Sequence, residues 1–122
     1  MTTEQFETLV DEALAQIPED FRKRIENLTV VVQEFPDRPT MQRMGLVNRY
    51  QLLGLYHGIP ITQRTQNYGN VAPDQISIYR QPILAQARSE AEVRALVGHV
   101  VRHELAHYFG IDDDRLMQIG AY

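Results

Sequence analysis

His103 and His107 stand four residues apart, so on an α-helix their side chains leave the same face, about 40° apart, and both imidazoles reach one ion. Glu104 lies one position past the first histidine, displaced around the helix, where its carboxylate misses the ion and faces the water beside it. Imidazoles hold a divalent metal, and a carboxylate next to an activated water can take its proton. The spacing HExxH therefore points to metal-assisted hydrolysis with Glu104 as general base.

A catalytic zinc usually has three protein ligands and an open fourth position. Gly110 follows His107 by three residues, where a glycine can take positive φ, end the helix and turn the chain back. Ile111, Asp112, Asp113 and Asp114 come next, and the full pattern HExxHxxGxxD makes Asp113 the expected third ligand of a single zinc ion. Asp112 and Asp114 are the alternatives, and capping of the next helix, DRLMQIGAY, is the competing use of all three aspartates. For the histidines the competing reading is two hydrogen-bonded core side chains, which is costly on an apolar stripe that offers no partner. His99 extends the same stripe one turn upstream as a packing or supporting residue. His57 is expected in a loop, Met117 as core filler, and Tyr108 facing away from the metal.

The elements that must position this group are legible in the hydrophobic spacing. Thr2 or Thr3 caps a first helix with Phe6, Leu9, Val10, Ala13, Leu14 and Ile17 on one face, ended by Pro18. A short helix from Glu19 to Glu26 leads into a buried strand, Leu28 to Phe35. Pro36 and Pro39 mark a loop, and the stretch to Arg49 carries no clear period. A second strand covers Gln51 to His57, with Gly54 marking a bulge or a close backbone approach. A long polar loop runs from Thr62 to Pro73. Asp74 to Arg80 alternates, which predicts a strand with one solvated side. Pro82 suits the first turn of a helix, and Ser89 with Glu92 forms a capping box for the longest helix, running to about Phe109. Leu96, Val100, His103 and His107 share one face of it, which sets the site on the floor of a cleft.

A chain of 122 residues predicts one domain over residues 1–122. Its formal charge of −4 argues against a nucleic-acid partner, because phosphates demand clustered Lys and Arg. There is no cysteine, so any metal must be held by His and carboxylate. No segment approaches 18 apolar residues and the first residues are acidic, so no membrane association and a cytoplasmic location are expected.

The blocks HELAHYFGIDD, DQISIYRQPI and LLGLYHGIPITQR resemble the small bacterial zincin-like metallopeptidase family, minimal metalloproteases related in motif to metzincins, over roughly Leu46 to Met117. The resemblance implies a compact α+β fold with a small mixed sheet packed against a long active-site helix. It also implies His103, His107 and Asp113 as zinc ligands and Glu104 as the base. Unlike most metzincins, the chain has aspartate where the third ligand is usually histidine, and it lacks a clear methionine turn. The expected partner is a peptide or protein substrate, lying along the strand Asp74 to Tyr79 as an added strand. The alternatives are a metal-dependent ribonuclease, whose HxxxHxxGxxH pattern Glu104 and Asp113 do not follow, and a non-catalytic zinc-binding or interaction module.

Overall fold

The computed structural model describes residues 1–58 and 74–111. Helix α1 (Thr3–Ala15) starts as its sequence requires. The Thr2 side chain accepts the Gln5 N–H at 3.1 Å, and the Gln5 side chain accepts the Thr2 N–H at 2.8 Å. This reciprocal pair satisfies donors that a helix start leaves open. Phe6, Leu9, Val10 and Ala13 then turn inward at helical spacing.

The second helix, α2 (Glu19–Arg22), is one turn long and shorter than expected, and the chain leaves it through Asn27, at a left-handed φ of 53°. Asparagine is among the few non-glycine residues that take this conformation at low cost. Strand β1 (Leu28–Gln33) follows. The proline-rich loop holds a helix that the periodicity missed, α3 (Arg38–Arg43). Asp37 caps it by accepting the Thr40 N–H at 2.9 Å, and Pro39 sits in the first turn, where a missing N–H costs nothing. Two prolines exclude a central strand but suit a helix start. The remaining described elements are β2 (Gly54–His57), β3 (Asp74–Tyr79), α4 (Arg80–Gln86) and α5 (Glu90–Tyr108). The loop expected from Thr62 to Pro73 and the segment DRLMQIGAY lie outside the described residues.

The three strands form one mixed sheet in the order β1-β3-β2. β1 runs parallel to β3, with Val30 opposite Ile76, and β2 runs antiparallel to it, with Tyr56 opposite the same residue. This corrects the reading of Asp74 to Tyr79 as a half-solvated strand with a free edge. It is the central strand, its ladder groups are committed on both sides, and its polar face is covered too: Ser77 is 0% and Tyr79 1% exposed. Ser77 Oγ accepts the Gln75 amide at 3.0 Å and lies 3.4 Å from Nε2 of His57, while the Tyr79 hydroxyl meets Ser77 and Thr40. His57 is accordingly the last residue of β2 and not a loop histidine.

The other face of the sheet carries the core. Ile76 and Ile78 join Val97, Val100, Val101 and Leu105 of α5 and the inward row of α1. Each such side chain, fully buried, contributes on the order of 1.5–3 kcal/mol. Because α5 packs on α1, β2 and β3 at once, its rotation is fixed, and with it the directions of His103, Glu104 and His107. Among the described residues no helix is long and apolar enough to cross a membrane.

Candidate metal centre

Helix α5 is defined at both ends. Ser89 Oγ accepts the Glu92 N–H at 3.1 Å, while the Glu92 carboxylate takes the N–H of Arg88, one residue earlier than a regular capping box. At the other end Gly110 has φ 86°, the left-handed conformation expected of it. The Gly110 N–H donates to His107 O and the Ile111 N–H to Ala106 O, each at 2.9 Å, which closes the helix as a Schellman motif. Asp112, Asp113 and Asp114 lie outside the described residues, so the structure describes no third ligand.

Between these ends Val93, Val97, Val100, Val101, Leu105 and Tyr108 form the buried line of the helix. Glu104 belongs to that line and is only 6% exposed, and His103 and His107 flank it, half-buried. The donor atoms of the three residues lie within 4.8 Å of one another. The two imidazole rings meet edge-on with centroids 4.6 Å apart. His107 Nδ1 is 3.2 Å from Glu104 Oε1, and His103 Nε2 is 3.9 Å from Oε2. Two imidazoles and a carboxylate converging in a half-buried recess are a nitrogen and oxygen donor set that suits zinc.

The sheet places the carboxylate. The Tyr56 N–H points away from β3 and donates to Glu104 Oε1 at 3.1 Å. Gly54 makes this approach possible: a Cβ there would lie 2.5 Å from Cγ1 of Val100 and 3.5 Å from Cγ of Glu104. The sequence marked Gly54 as a bulge or a close approach, and the structure selects the second. Tyr108 shares the buried line with Glu104, and its hydroxyl reaches the segment before β1. Its hydroxyl accepts the Glu26 N–H at 2.8 Å and donates to Glu26 O at 2.9 Å, and its ring meets Tyr56 edge-on at 5.9 Å. Tyr56 in turn donates its hydroxyl to the buried Asp74 at 2.5 Å. No sequence pattern announced Tyr56 or Tyr108 as supports of the site, because their contacts join segments far apart in the chain.

His99 lies one turn before His103, ring centroids 6.1 Å apart. Burial holds its pKa below the usual 6.5, and the neighbouring His103 and Arg102 push it the same way. His57, on the opposite face of the sheet, is also lowered, by burial and then by Arg43, against the opposing pull of Asp37 and Glu104.

Among solved structures, a conserved hypothetical protein from T. thermophilus is similar in fold, with a TM-score of 0.60 and 22% sequence identity over 89% of this chain and 94% of that one. No curated protein matches the sequence significantly. A family model described as zincin-like metallopeptidase matches residues 25–121, which include all three strands, the long helix and the His103, Glu104, His107 cluster. The chain belongs to the zincin-like metallopeptidase family.

Proposed function

We propose that the protein is a zinc-dependent peptidase in which His103, His107 and Asp113 hold one zinc ion and Glu104 is the general base. The observation that carries this reading is the position of the Glu104 carboxylate, 3.2 Å from one imidazole and 3.9 Å from the other, and fixed from behind by the Tyr56 N–H. The assignment of Asp113 rests on motif spacing, and the family match supports hydrolysis of a peptide over the ribonuclease and the non-catalytic alternatives.

Zinc, when bound, supplies a Lewis acid that acidifies water and polarises a carbonyl. The chain's own residues do the rest. Glu104, buried and anchored through Oε1, presents Oε2 toward His103, takes a proton as the attack begins and delivers it to the leaving amine. The substrate strand is reassigned with the sheet order. Since β3 is committed on both sides, the edge beside Glu104 among the described residues is β2; its Tyr56 N–H already serves the carboxylate, so an extended peptide is held there through the remaining outward groups of β2 and meets Glu104 at Oε2.

The test is cleavage of a peptide library by zinc-loaded protein. Wild type should cleave, and Glu104→Gln should retain zinc while losing at least about a hundredfold in rate. A zinc-loaded wild type that cleaves nothing would overturn the peptidase reading, and undiminished cleavage by the variant would overturn the role of Glu104.

A further inference from the structure

Asp74, the first residue of β3, is only 2% exposed. The Tyr56 hydroxyl donates to its Oδ2 at 2.5 Å. Gly58 packs directly against the same carboxylate: a Cβ there would lie 2.4 Å from Asp74 Cγ and from Oδ1, so the carboxylate fills the space that a side chain would need. The Asp74 N–H donates to Asn27 O at 2.9 Å, which ties its backbone to the segment before β1. A carboxyl group this deep is costly to bury unless it is hydrogen-bonded, and this one is no part of the metal-binding cluster.

We propose that Asp74 is a positioning residue for Glu104 and acts through Tyr56, by holding the side chain of the residue whose backbone N–H fixes Oε1 of the general base. This deepens the peptidase reading and rests on it. Tyr56 stands opposite Ile76 in the ladder, but its N–H points away from β3 and is engaged by Glu104, so that group makes no bond to the neighbouring strand. The bond from its hydroxyl to Asp74 supplies a link to β3 in its place. Such a link matters here because β2 is four residues long, lies at the edge of the three-stranded sheet, and has a glycine at its start and another just past its end. Glycine restrains the backbone least, so side-chain contacts carry more of the placement of this strand. The Tyr56 ring also meets Tyr108 edge-on, and Tyr108 lies on the buried line of α5 one turn after Glu104. Tyr56 therefore spans from β3 to α5, with Asp74 at one end and Glu104 at the other. Without Asp74 the ring loses its anchor, the N–H samples other directions, and the base loses a fixed donor.

The experiment uses the metal-free full chain, isotope-labelled for NMR. The bond from Tyr56 to Glu104 is read directly, as the scalar coupling across it between the Tyr56 amide nitrogen and the Glu104 carboxylate carbon. Wild type should show this coupling. Asp74→Ala and Tyr56→Phe should each lose it, and the double variant should resemble either single one. Asp74→Asn keeps an acceptor for the hydroxyl and should retain the coupling. Tyr56→Phe keeps the ring and carries the test if Asp74→Ala does not fold. A merely structural Asp74 would lower the urea midpoint when replaced and leave the coupling intact. Absence of the coupling from wild type, its persistence in Tyr56→Phe or in folded Asp74→Ala, or its loss in Asp74→Asn would overturn the proposal. In zinc-loaded protein Tyr56→Phe should lower kcat several-fold at unchanged KM, and an unchanged kcat would overturn the proposal as well. A failure of the peptidase reading would show separately, as a zinc-loaded wild type that cleaves nothing, because the coupling is measured without zinc or substrate.

Discussion

The backbone N–H of Tyr56 is joined to the carboxylate of Glu104, 48 positions later in the chain, by a hydrogen bond of 3.1 Å. Through it the edge of the sheet sets where the most buried member of the HExxH group stands. The motif places Glu104 on the helix, but the strand fixes which of its oxygens remains available for chemistry.

That bond requires the strand to approach the helix closely, and Gly54 is where the approach is tightest. In Gly54→Ala the new Cβ meets Val100 Cγ1 at 2.5 Å and the Ser77 carbonyl at 3.2 Å, so the strand or the helix must shift. The variant should lose about 1–3 kcal/mol of stability in urea unfolding. An unchanged midpoint would show that the strand and helix are not held in contact.

Tyr108 ties the end of α5 to the segment before β1 through two hydrogen bonds to the Glu26 backbone. Tyr108→Phe keeps the ring contacts and strands those two backbone groups, at an expected cost of about 1–3 kcal/mol by chemical denaturation. Wild-type stability in the variant would mean that the hydroxyl is dispensable to the fold.

His57 makes stability depend on pH. Burial, followed by Arg43, holds its folded pKa below the usual 6.5. The unfolded chain therefore takes up this proton near neutrality while the native chain does so only at lower pH. The stability associated with neutral His57 is present above the unfolded pKa and declines as pH falls below it. His99 is lowered too and acts in the same sense. His57→Gln removes one of the two titrations, so its urea midpoint should fall less than that of wild type between about pH 7.5 and about pH 5.5. Equal falls in the two proteins would contradict this role for His57.

Much of the scaffold was legible because its signals are local. The inward row of α1, the β-branched run of β1, Ser89 at the start of α5 and Gly110 at its end each follow from spacing or from backbone preference within a few residues. The histidine and glutamate cluster was legible for the same reason, since i, i+1 and i+4 positions on a helix have fixed relative directions. Helix α3 carries no hydrophobic period, and Pro36 and Pro39 read as strand breakers, while Asp37 and Pro39 also read as a helix start. The central place of β3 had no local signal. Its alternation of Ile76 and Ile78 with Gln75 and Ser77 suggests one wet face, yet that face is covered by Thr40 and His57, brought in from elsewhere in the chain. The Tyr56 anchor was hidden for a further reason: it is a backbone donor, and no choice of side chain reveals it.

The central claim is that His103 and His107 hold a zinc ion, and metal content tests it most directly. Protein purified without chelators or metal-affinity tags is measured by elemental analysis beside His103→Ala, each before and after addition of zinc and removal of the excess. The account predicts one zinc per chain in wild type and loss of it in the variant. Wild type that holds no zinc even after addition, or a variant that holds it equally well, would contradict the account.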